Sequence, residues 1–430
     1  MSALPSEPRY TSDVVDGDPK DGYWIQAADI DGDGHLDLVA SGLTTGEVVW
    51  YENPLDANQW RKHHIASLDK PVALDCGDIA GQGRTDIAIC HDYGECMFNC
   101  RPQDGKISWL HNPGTYGSDE TWQQRLIGDL VATHRVTLGH FSQGDQLELL
   151  ALPVVGPGGA QGVDQPVQLT LYERPADALD APHWTARVVD STHFRIVHGV
   201  ITARFRGTVD PQLDSVLLAS QEGISWFGLG PQNGWEQQSL AAGVPLQNKP
   251  SDLPRQFKGS GNLAVGRIGE DPYAYIAAIE PFHGNTIVVY TRAPGPDTLA
   301  GPWRRTTLAV LGDPDQPGLA VGHHVIAADL DGDGDDEFLV ALRGPPPWQG
   351  VLQYKLDMTD GVITKARVDT VSTHSAARIA VGDFTGDGRL DFATTGYHTV
   401  GYYLAPNPEI RVFRNQYGNP RALPPPRSNG

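Results

Sequence analysis

Short runs of alternating apolar and polar residues recur along the chain, and several occur in pairs that flank an acidic, glycine-containing segment. WIQAAD and LDLVAS flank the first such segment, HVIAAD and EFLVAL the second, and RIAVGD and LDFATT the third. Period-two alternation over short runs is typical of β-strands with one buried face. The pattern therefore predicts that each acidic segment is a tight loop between two strands.

This strand–loop–strand unit recurs seven times, with several degenerate copies. Each copy supplies four strands over about forty to sixty residues, which is the spacing of a β-propeller blade. The copies begin at Trp24, Val72, His134, His198, Asn262, His323 and Ala377. The sequence therefore predicts an all-β fold, a single seven-bladed β-propeller; an array of two-sheet sandwiches is the alternative.

The two ends of the predicted propeller complement each other. The seventh copy lacks an outer strand after Asn415, and RYTSDVV near the N-terminus has the alternation to supply one. We therefore expect the N-terminal strand to close the ring. A single domain over 1–430 is expected, with the propeller at about 10–415 and a Pro-rich tail at 416–430.

The three complete acidic loops carry oxygen ligands at every second position, with glycines for the tight bend, as a calcium ion requires. They are similar to FG-GAP-type repeats and to the start of an EF-hand loop, although the closing acid comes at position nine. We expect structural Ca²⁺ there, the alternative being acidic turns without metal. The predicted ligands are Asp29, Asp31, Asp33, Asp37, Asp329, Asp331, Asp333, Glu337, Asp383, Thr385, Asp387 and Asp391.

Charge and composition limit the possible binding partners and the cellular location of the protein. A net charge of −21 argues against nucleic acid and against an anionic membrane surface, and no apolar run approaches a membrane span. We expect a monomer. The N-terminus has no apolar core of a secretion signal, so the protein is either intracellular or secreted with its signal replaced by Met1; we expect the latter. Of the four cysteines, Cys96 and Cys100 either close a small loop or remain thiols like Cys76 and Cys90.

Propeller geometry places the start of every first strand at the face opposite the acidic loops, together with the loops between second and third strands. Histidines are concentrated there, which predicts a cationic, titratable site for an anionic or polyhydroxylated ligand. The alternative is that they are structural side chains that bond to neighbouring blades. They are His91, His134, His198, His283, His323, His324 and His398, with His140 expected further down the channel.

The sequence resembles the propeller domain of the fungal aldos-2-ulose dehydratases from about Gly22 to Phe413. The matching stretches are DGYW, KPVALDCGDI, GKISWLHNPG, THRVTLGHF, EPFHGNTIVVYT, ADLDGDGDDEFLVAL and RIAVGDF. Two features depart from that family: cupin domains follow its propeller, whereas this sequence ends at Gly430, and His91 stands where no histidine is expected. The chain also resembles the propeller lyases that cleave rhamnose from glucuronic acid on gum arabic side chains.

Both resemblances imply a β-elimination next to a group that acidifies a sugar C–H. We expect the substrate to be an acidic oligo- or polysaccharide, with release of L-rhamnose from rhamnosyl-α-1,4-glucuronate ends. A carboxylate needs guanidinium partners, and the elimination needs a base and an acid. The candidates are Arg135, Arg343 and Arg378 for the charge, and His91, His134 and Tyr93 for proton transfer. Those for substrate binding are Trp24, by stacking, with His198, His283, Asn285, His323, His324 and His398.

Two other functions remain open. The first is a dehydratase acting on a 2-keto sugar such as anhydrofructose, at the same histidine-rich face and with a catalytic metal held by the histidines. The second is a non-catalytic glycan-binding or adhesion propeller whose calcium loops only stiffen the blades. We expect no organic cofactor, because no Gly-rich phosphate loop leads from a strand into a helix.

Overall fold

The chain folds into a seven-bladed β-propeller, as predicted. The computed structural model describes residues 9–55, 59–94, 100–116, 122–144, 146–159, 165–205, 210, 212–245, 257–295, 301–312, 321–406 and 408–417. Within these ranges there are seven four-stranded antiparallel sheets and one short hairpin, and no α-helix. The same ranges contain no helix long and apolar enough to cross a membrane.

Each of the first six blades runs consecutively from its inner to its outer strand, and the seventh combines strands from both ends of the chain. In chain order the strands are β1 (Tyr10–Asp16); blade 1, β2 (Trp24–Ala28), β3 (Asp37–Ser41), β4 (Glu47–Glu52) and β5 (Arg61–Ser67); blade 2, β6 (Ala73–Gly77), β7 (Asp86–His91), β8 (Lys106–His111) and β9 (Gln123–Asp129); blade 3, β10 (Thr133–Gly139), β11 (Glu148–Pro153), β12 (Leu169–Glu173) and β13 (Thr185–Asp190); blade 4, β14 (Gly199–Ala203), β15 (Ser215–Ser220), β16 (Gly223–Leu229) and β17 (Trp235–Ala241); blade 5, β18 (Asn262–Ile268), β19 (Asp271–Glu280), β20 (Thr286–Thr291) and β21 (Arg304–Val310); blade 6, β22 (Gly322–Ala328), β23 (Glu337–Arg343), β24 (Gln349–Thr359) and β25 (Val362–Ser372); and blade 7, β26 (Arg378–Gly382), β27 (Asp391–Thr395) and β30 (Ile410–Asn415), with the hairpin β28 (His398–Thr399) and β29 (Tyr403–Leu404).

Burial explains why these segments differ in composition. The second strands, such as β7 and β15, are buried at every position because a neighbouring blade covers each face of the sheet, and they read as continuous apolar runs. The outer strands β9 and β13 are mostly exposed and polar. The core therefore lies between blades; one cluster joins Ile25 and Val49 of blade 1 to Ala380 and Val412 of blade 7.

The inner strands form a ring around the central channel. Each of β2, β6, β10, β14, β18, β22 and β26 contacts the inner strand of the blade on either side, including β26 with β2. β1 pairs antiparallel with β30, from Tyr10 opposite Asn415 to Asp16 opposite Ile410, and so lies at the outer edge of the seventh sheet. All seven inner strands therefore begin at the same face.

An asparagine at the end of the third strand, or directly after it, joins neighbouring blades at the opposite face. The Asn415 side-chain amide donates to the carbonyl oxygens of Leu390 (2.9 Å), in its own blade, and of Leu330 (2.6 Å), in blade 6. Asn53 and Asn112 make the corresponding bonds between blades 1 and 7 and between blades 2 and 1. These amides satisfy loop carbonyls that would otherwise be buried without a partner.

Cys76 and Cys90 are free thiols, whereas Cys100 is disulfide-bonded. Cys96 and residues 418–430 of the expected tail lie outside the described residues.

Candidate active site in the central mouth

Side chains at the start of the inner strands meet at one opening of the channel, which we call the mouth. Ring centroids are 5.0 Å apart for His134 and His198, 4.5 Å for His198 and His283, and 4.8 Å for His283 and His323. Tyr23 lies 5.6 Å from His323, measured between ring centroids. The mouth cluster is defined here as Tyr23, His134, Arg135, His198, His283 and His323, and it unites five blades.

Backbone carbonyls fix the tautomers of two of these histidines. His198 Nδ1 lies 2.9 Å from Gly261 O, and His323 Nδ1 contacts Ala377 O. A carbonyl oxygen only accepts, so each Nδ1 carries the proton and each Nε2 presents a lone pair. His323 Nε2 is buried and has no hydrogen-bond partner among the described residues. The cluster therefore contains two inward-facing imidazole lone pairs.

Tight backbone approaches allow this arrangement. A Cβ at Gly261 would lie 1.5 Å from Phe282 O, so only glycine permits the approach that sets Gly261 O against His198. A Cβ at Gly284 would lie 1.9 Å from Glu280 O, so the turn that carries His283 also requires glycine. The loop from Glu280 to Gly284 therefore delivers the third imidazole to the mouth.

His198, His283 and His323 are spaced as the ligands of a metal ion would be. One nitrogen from each lies within 4.8 Å of the others. His283 Nε2 is 2.8 Å from His198 Nε2, whose lone pair accepts, so His283 donates its Nε2 proton in this arrangement. Three neutral imidazoles converging on one point, two of them oriented by carbonyls, match the donor set and outer-shell bonds of zinc-type sites.

Arg135 links the two sides of the cluster. Its Nη1 donates to His134 Nδ1 (2.8 Å) and its Nη2 donates to His198 Nε2 (3.2 Å). A guanidinium group only donates, so His134 must carry its proton on Nε2 and donate it to Tyr23 Oη, 3.0 Å away. The Tyr23 hydroxyl proton is therefore directed elsewhere, and His134 and Tyr23 form a connected proton-transfer pair.

Burial keeps the imidazoles of the mouth neutral. It is the largest cause lowering the pKa of His134, His198, His283 and His323 well below the usual value, and neighbouring cationic side chains lower it further. Burial next to Arg135 also lowers the pKa of Arg378. The imidazoles of the mouth are thus neutral, and its positive charge comes from the arginines.

The arginines lie against aromatic rings. The guanidinium carbon of Arg378 is 3.5 Å from the centroid of the Trp24 ring, and that of Arg135 is 5.1 Å from it. Arg343 lies 5.1 Å from the ring centroid of Tyr397. Trp24 is 3% exposed and its ring lies under these cations, so in this structure the ring offers no open face for a sugar to stack on.

Two further predicted residues lie beside the cluster. The ring centroid of Tyr93 is 5.6 Å from that of His134, and its buried hydroxyl has no hydrogen-bond partner among the described residues. His324 Nδ1 accepts from the backbone N–H of Ile379 (3.3 Å), which places it between β22 and β26. Burial, followed by Arg378, lowers the pKa of His324 well below the usual value.

Other predicted residues are not brought into the cluster. His91 bonds instead to Ser108 Oγ (2.9 Å) and contacts Gln124, so its ring points along blade 2 towards the outer strands. The His398 ring bonds to Ala405 O (3.0 Å) in the blade 7 hairpin loop. Their expected roles in proton transfer and substrate binding do not fit these positions.

Asn285 and His140 are also engaged elsewhere. The Asn285 side-chain oxygen accepts from Thr286 Oγ1 (3.4 Å), and its backbone oxygen accepts from Leu311 N (2.7 Å). His140 Nδ1 bonds to Gln146 O (2.9 Å) in the turn between β10 and β11, so it lies at the face opposite the mouth rather than down the channel.

Three residues near the site were given no role from the sequence. Tyr23 bonds to His134, and Tyr397 packs against both Tyr23 and His323. Asp75 lies in the inner strand β6, where it accepts from Gln26 Nε2 and Leu138 N, both at 2.8 Å. Burial raises the pKa of Asp75 to about 6. The sequence signal that could have identified Asp75 is its position midway along an inner strand, where the repeat pattern places it beside the channel.

The acidic loops lie at the opposite face. Asp29, Asp31 and Asp33 each offer an oxygen within 4.8 Å of the others. Asp37 accepts from the backbone N–H groups of Ile30 (3.0 Å) and Asn53 (2.8 Å), so it closes the loop internally. In the third loop, Asp383 and Asp391 also accept backbone N–H groups, and Asp387 pairs with Arg389. Calcium binding by these loops stays a prediction.

Comparison with known proteins supports the likeness to one carbohydrate-active family. The profile described as "Aldos-2-ulose dehydratase, beta-propeller domain" matches residues 104–293. The aldos-2-ulose dehydratase of Phanerodontia chrysosporium is 33% identical over an alignment 428 residues long, and this alignment covers 94% of this chain and 46% of that protein. The chain thus spans about half the length of this curated relative. These findings favour a likeness to the dehydratase propeller over one to the rhamnose–glucuronate lyases.

Solved structures resemble the fold at low sequence identity. BBS1N, from a crystal structure of its complex with ARL6DN, has a TM-score of 0.53 at 12% identity, covering 97% of this chain and 98% of that one. Sqt1 of Saccharomyces cerevisiae has a TM-score of 0.50 at 11% identity, covering 91% and 97%. These likenesses show the propeller fold alone.

Proposed function

We propose that this propeller is a carbohydrate dehydratase that removes water from a 2-keto sugar by β-elimination in the mouth. The reaction breaks a C–H bond next to the ketone and the C–O bond of the hydroxyl one carbon further on, and yields a conjugated enone and water. The convergence of His198, His283 and His323 on one point carries the proposal. The likeness to an aldos-2-ulose dehydratase names the substrate class.

The three imidazoles suit a divalent ion such as Zn²⁺. Within the described part of the chain, His323 already presents a free Nε2 lone pair. That of His198 becomes free once Arg135 and His283 no longer donate to it. His283 offers a third lone pair once its proton moves to Nδ1. When bound, such an ion supplies Lewis-acid polarisation of the ketone oxygen, which acidifies the neighbouring C–H.

The chain's own residues supply the charge and the proton transfers. Arg135, Arg343 and Arg378 concentrate positive charge where an enolate oxygen develops, and aromatic rings hold Arg343 and Arg378 in place. His134 takes the proton from carbon at Nδ1 once Arg135 Nη1 releases that nitrogen, and passes its Nε2 proton to Tyr23 Oη, 3.0 Å away. Tyr23 in turn gives its own hydroxyl proton to the departing hydroxyl, which leaves as water. The burial of His134 and Tyr23 excludes bulk water from competing.

We further propose that the Asp29–Asp37 loop binds a structural Ca²⁺ at the opposite face. Its carboxylates converge within calcium-ligand spacing, as those of Asp329, Asp331 and Asp333 also do, but among the described residues only in the latter loop does a lysine pair with them. The bound Ca²⁺ would stiffen blade 1 without touching the reaction. A secreted, monomeric protein remains our expectation.

Substrate comparison tests the proposal. Purified protein supplied with Zn²⁺ and Ca²⁺ is incubated separately with anhydrofructose and with a rhamnosyl-glucuronate oligosaccharide, and products are followed by ultraviolet absorbance and mass spectrometry. We expect an absorbing product lighter by one water from the 2-keto sugar only. An unsaturated uronate with free rhamnose would instead establish the lyase. Glycan binding without product from either substrate would favour the adhesion propeller.

A further inference from the structure

The second acidic loop, in blade 6, contains a buried lysine. Lys355 Nζ lies 3.2 Å from Asp331 Oδ1 and 2.8 Å from Asp333 Oδ1, and it contacts Glu337 Oε1. The backbone oxygen of Asp335 also accepts from it, at 3.3 Å. The ammonium thus forms ion pairs with three of the four side chains predicted to bind calcium in this loop.

The ammonium and a calcium ion would compete for one position. Lys355 is 6% exposed, and four oxygens from the loop surround its Nζ. Calcium requires the same carboxylate oxygens at about 2.3–2.6 Å, which leaves no room for an ammonium among them. Displacing Lys355 would leave a buried cation without partners, which is strongly unfavourable.

Blade 1 carries the opposite charge at the equivalent position. In blade 6, Tyr354 pairs with Phe338, the residue directly after the closing acid Glu337. In blade 1, Tyr51 pairs with Leu38, the residue directly after the closing acid Asp37. Lys355 therefore corresponds to Glu52. Within the described ranges no ion pair involves Asp29, Asp31 or Asp33 of the blade 1 loop, and Glu52 itself pairs with Arg61 and His63.

We propose that Lys355 is the resident cation of the Asp329–Glu337 loop, so that the cation position is filled by the chain itself and the loop takes up no divalent ion. The calcium-type sequence of the loop is retained, but its ligand is a side chain of the same blade. One residue on the third strand then decides whether such a loop depends on calcium.

Calcium stoichiometry tests this directly, in native mass spectrometry of the full chain with Ca²⁺ titrated from a chelated start. Asp333→Asn removes a half-exposed loop carboxylate and should leave the number of bound calcium ions unchanged. Lys355→Met frees the loop and should add one calcium ion, with a Ca²⁺-dependent rise in melting temperature larger than that of wild type. Lys355→Arg is the matched control, because it keeps the positive charge, and should add none.

Two results would overturn the proposal. One is the loss of one calcium ion in Asp333→Asn, since that would show that the loop binds calcium with Lys355 present. The other is a folded Lys355→Met variant that binds no more calcium than wild type, because the lysine would then not be what excludes the ion. The Asp333→Asn result stands even where Lys355→Met fails to fold.

Discussion

Replacing His323 with Ala removes one of three converging imidazoles and should sharply weaken metal binding at the mouth. His323 Nε2 is the buried lone pair that has no hydrogen-bond partner among the described residues, because Nδ1 bonds to Ala377 O. Loss of an outer-shell partner of a metal ligand costs about 10–100-fold in affinity, so loss of a ligand itself should cost at least about 100-fold. That corresponds to about 2.8 kcal/mol.

The assay is zinc competition with a chromophoric chelator, with Ca²⁺ in excess so that the oxygen-ligand loops do not compete for zinc. His398→Ala is the matched control: His398 also bonds a backbone carbonyl through Nδ1, at Ala405 O, but lies outside the mouth cluster. We expect wild type and His398→Ala to bind one zinc ion with similar affinity. Unchanged zinc affinity in His323→Ala would refute the proposed ligand set.

The remaining predictions concern stability. Asn415→Ala should lower the free energy of unfolding by about 2–5 kcal/mol, because two carbonyls at the blade junction lose their donor. Urea unfolding measures this, with Gln416→Ala at the exposed neighbouring residue as the control. Equal stability of the two variants would contradict the prediction. Burial lowers the pKa of His324, so in the unfolded chain this residue takes up a proton as pH falls below about 6.5 while in the folded chain it stays neutral. Wild type should therefore lose about 1 kcal/mol of unfolding free energy relative to His324→Gln between pH 6.5 and 5.5, and a constant difference would contradict this. Removing calcium with a chelator should lower the melting temperature of wild type more than that of Asp33→Asn. An equal drop in both proteins would contradict calcium binding in blade 1.

The fold was predictable because the same strand pattern repeats along the chain. Seven copies of one strand pattern make the propeller visible even where single strands are ambiguous. The meeting of His134, Arg135, His198 and His323 followed from the same reasoning, since all stand where inner strands begin. No single motif in the sequence announces this cluster.

The errors arise where side-chain direction decides. His91 ends β7 at the correct face, but its side chain points towards Ser108 and the outer strands, because successive side chains alternate across a sheet. Trp24 stands beside Tyr23, yet its ring is buried under Arg378. Sequence position gave the face of the propeller but not the direction of each side chain.

Contacts distant in sequence were not predictable either. Lys355 lies on the third strand of blade 6 and reaches back into an acidic loop that by itself reads as a calcium site. The proton on His134 is placed by Arg135, and that on His198 by Gly261 O from the next blade. Such assignments depend on which groups only accept or only donate, and therefore on coordinates.

The most direct test of the central claim is turnover of a 2-keto sugar by wild type and His134→Gln at equal zinc occupancy. Gln retains an acceptor for Arg135 but transfers no proton, and general acid–base catalysis contributes about 100–10,000-fold. The account predicts that wild type forms an ultraviolet-absorbing product lighter by one water, and that the variant forms it at least about 100-fold more slowly. Equal rates in the two proteins would contradict the assignment of proton transfer to the mouth cluster.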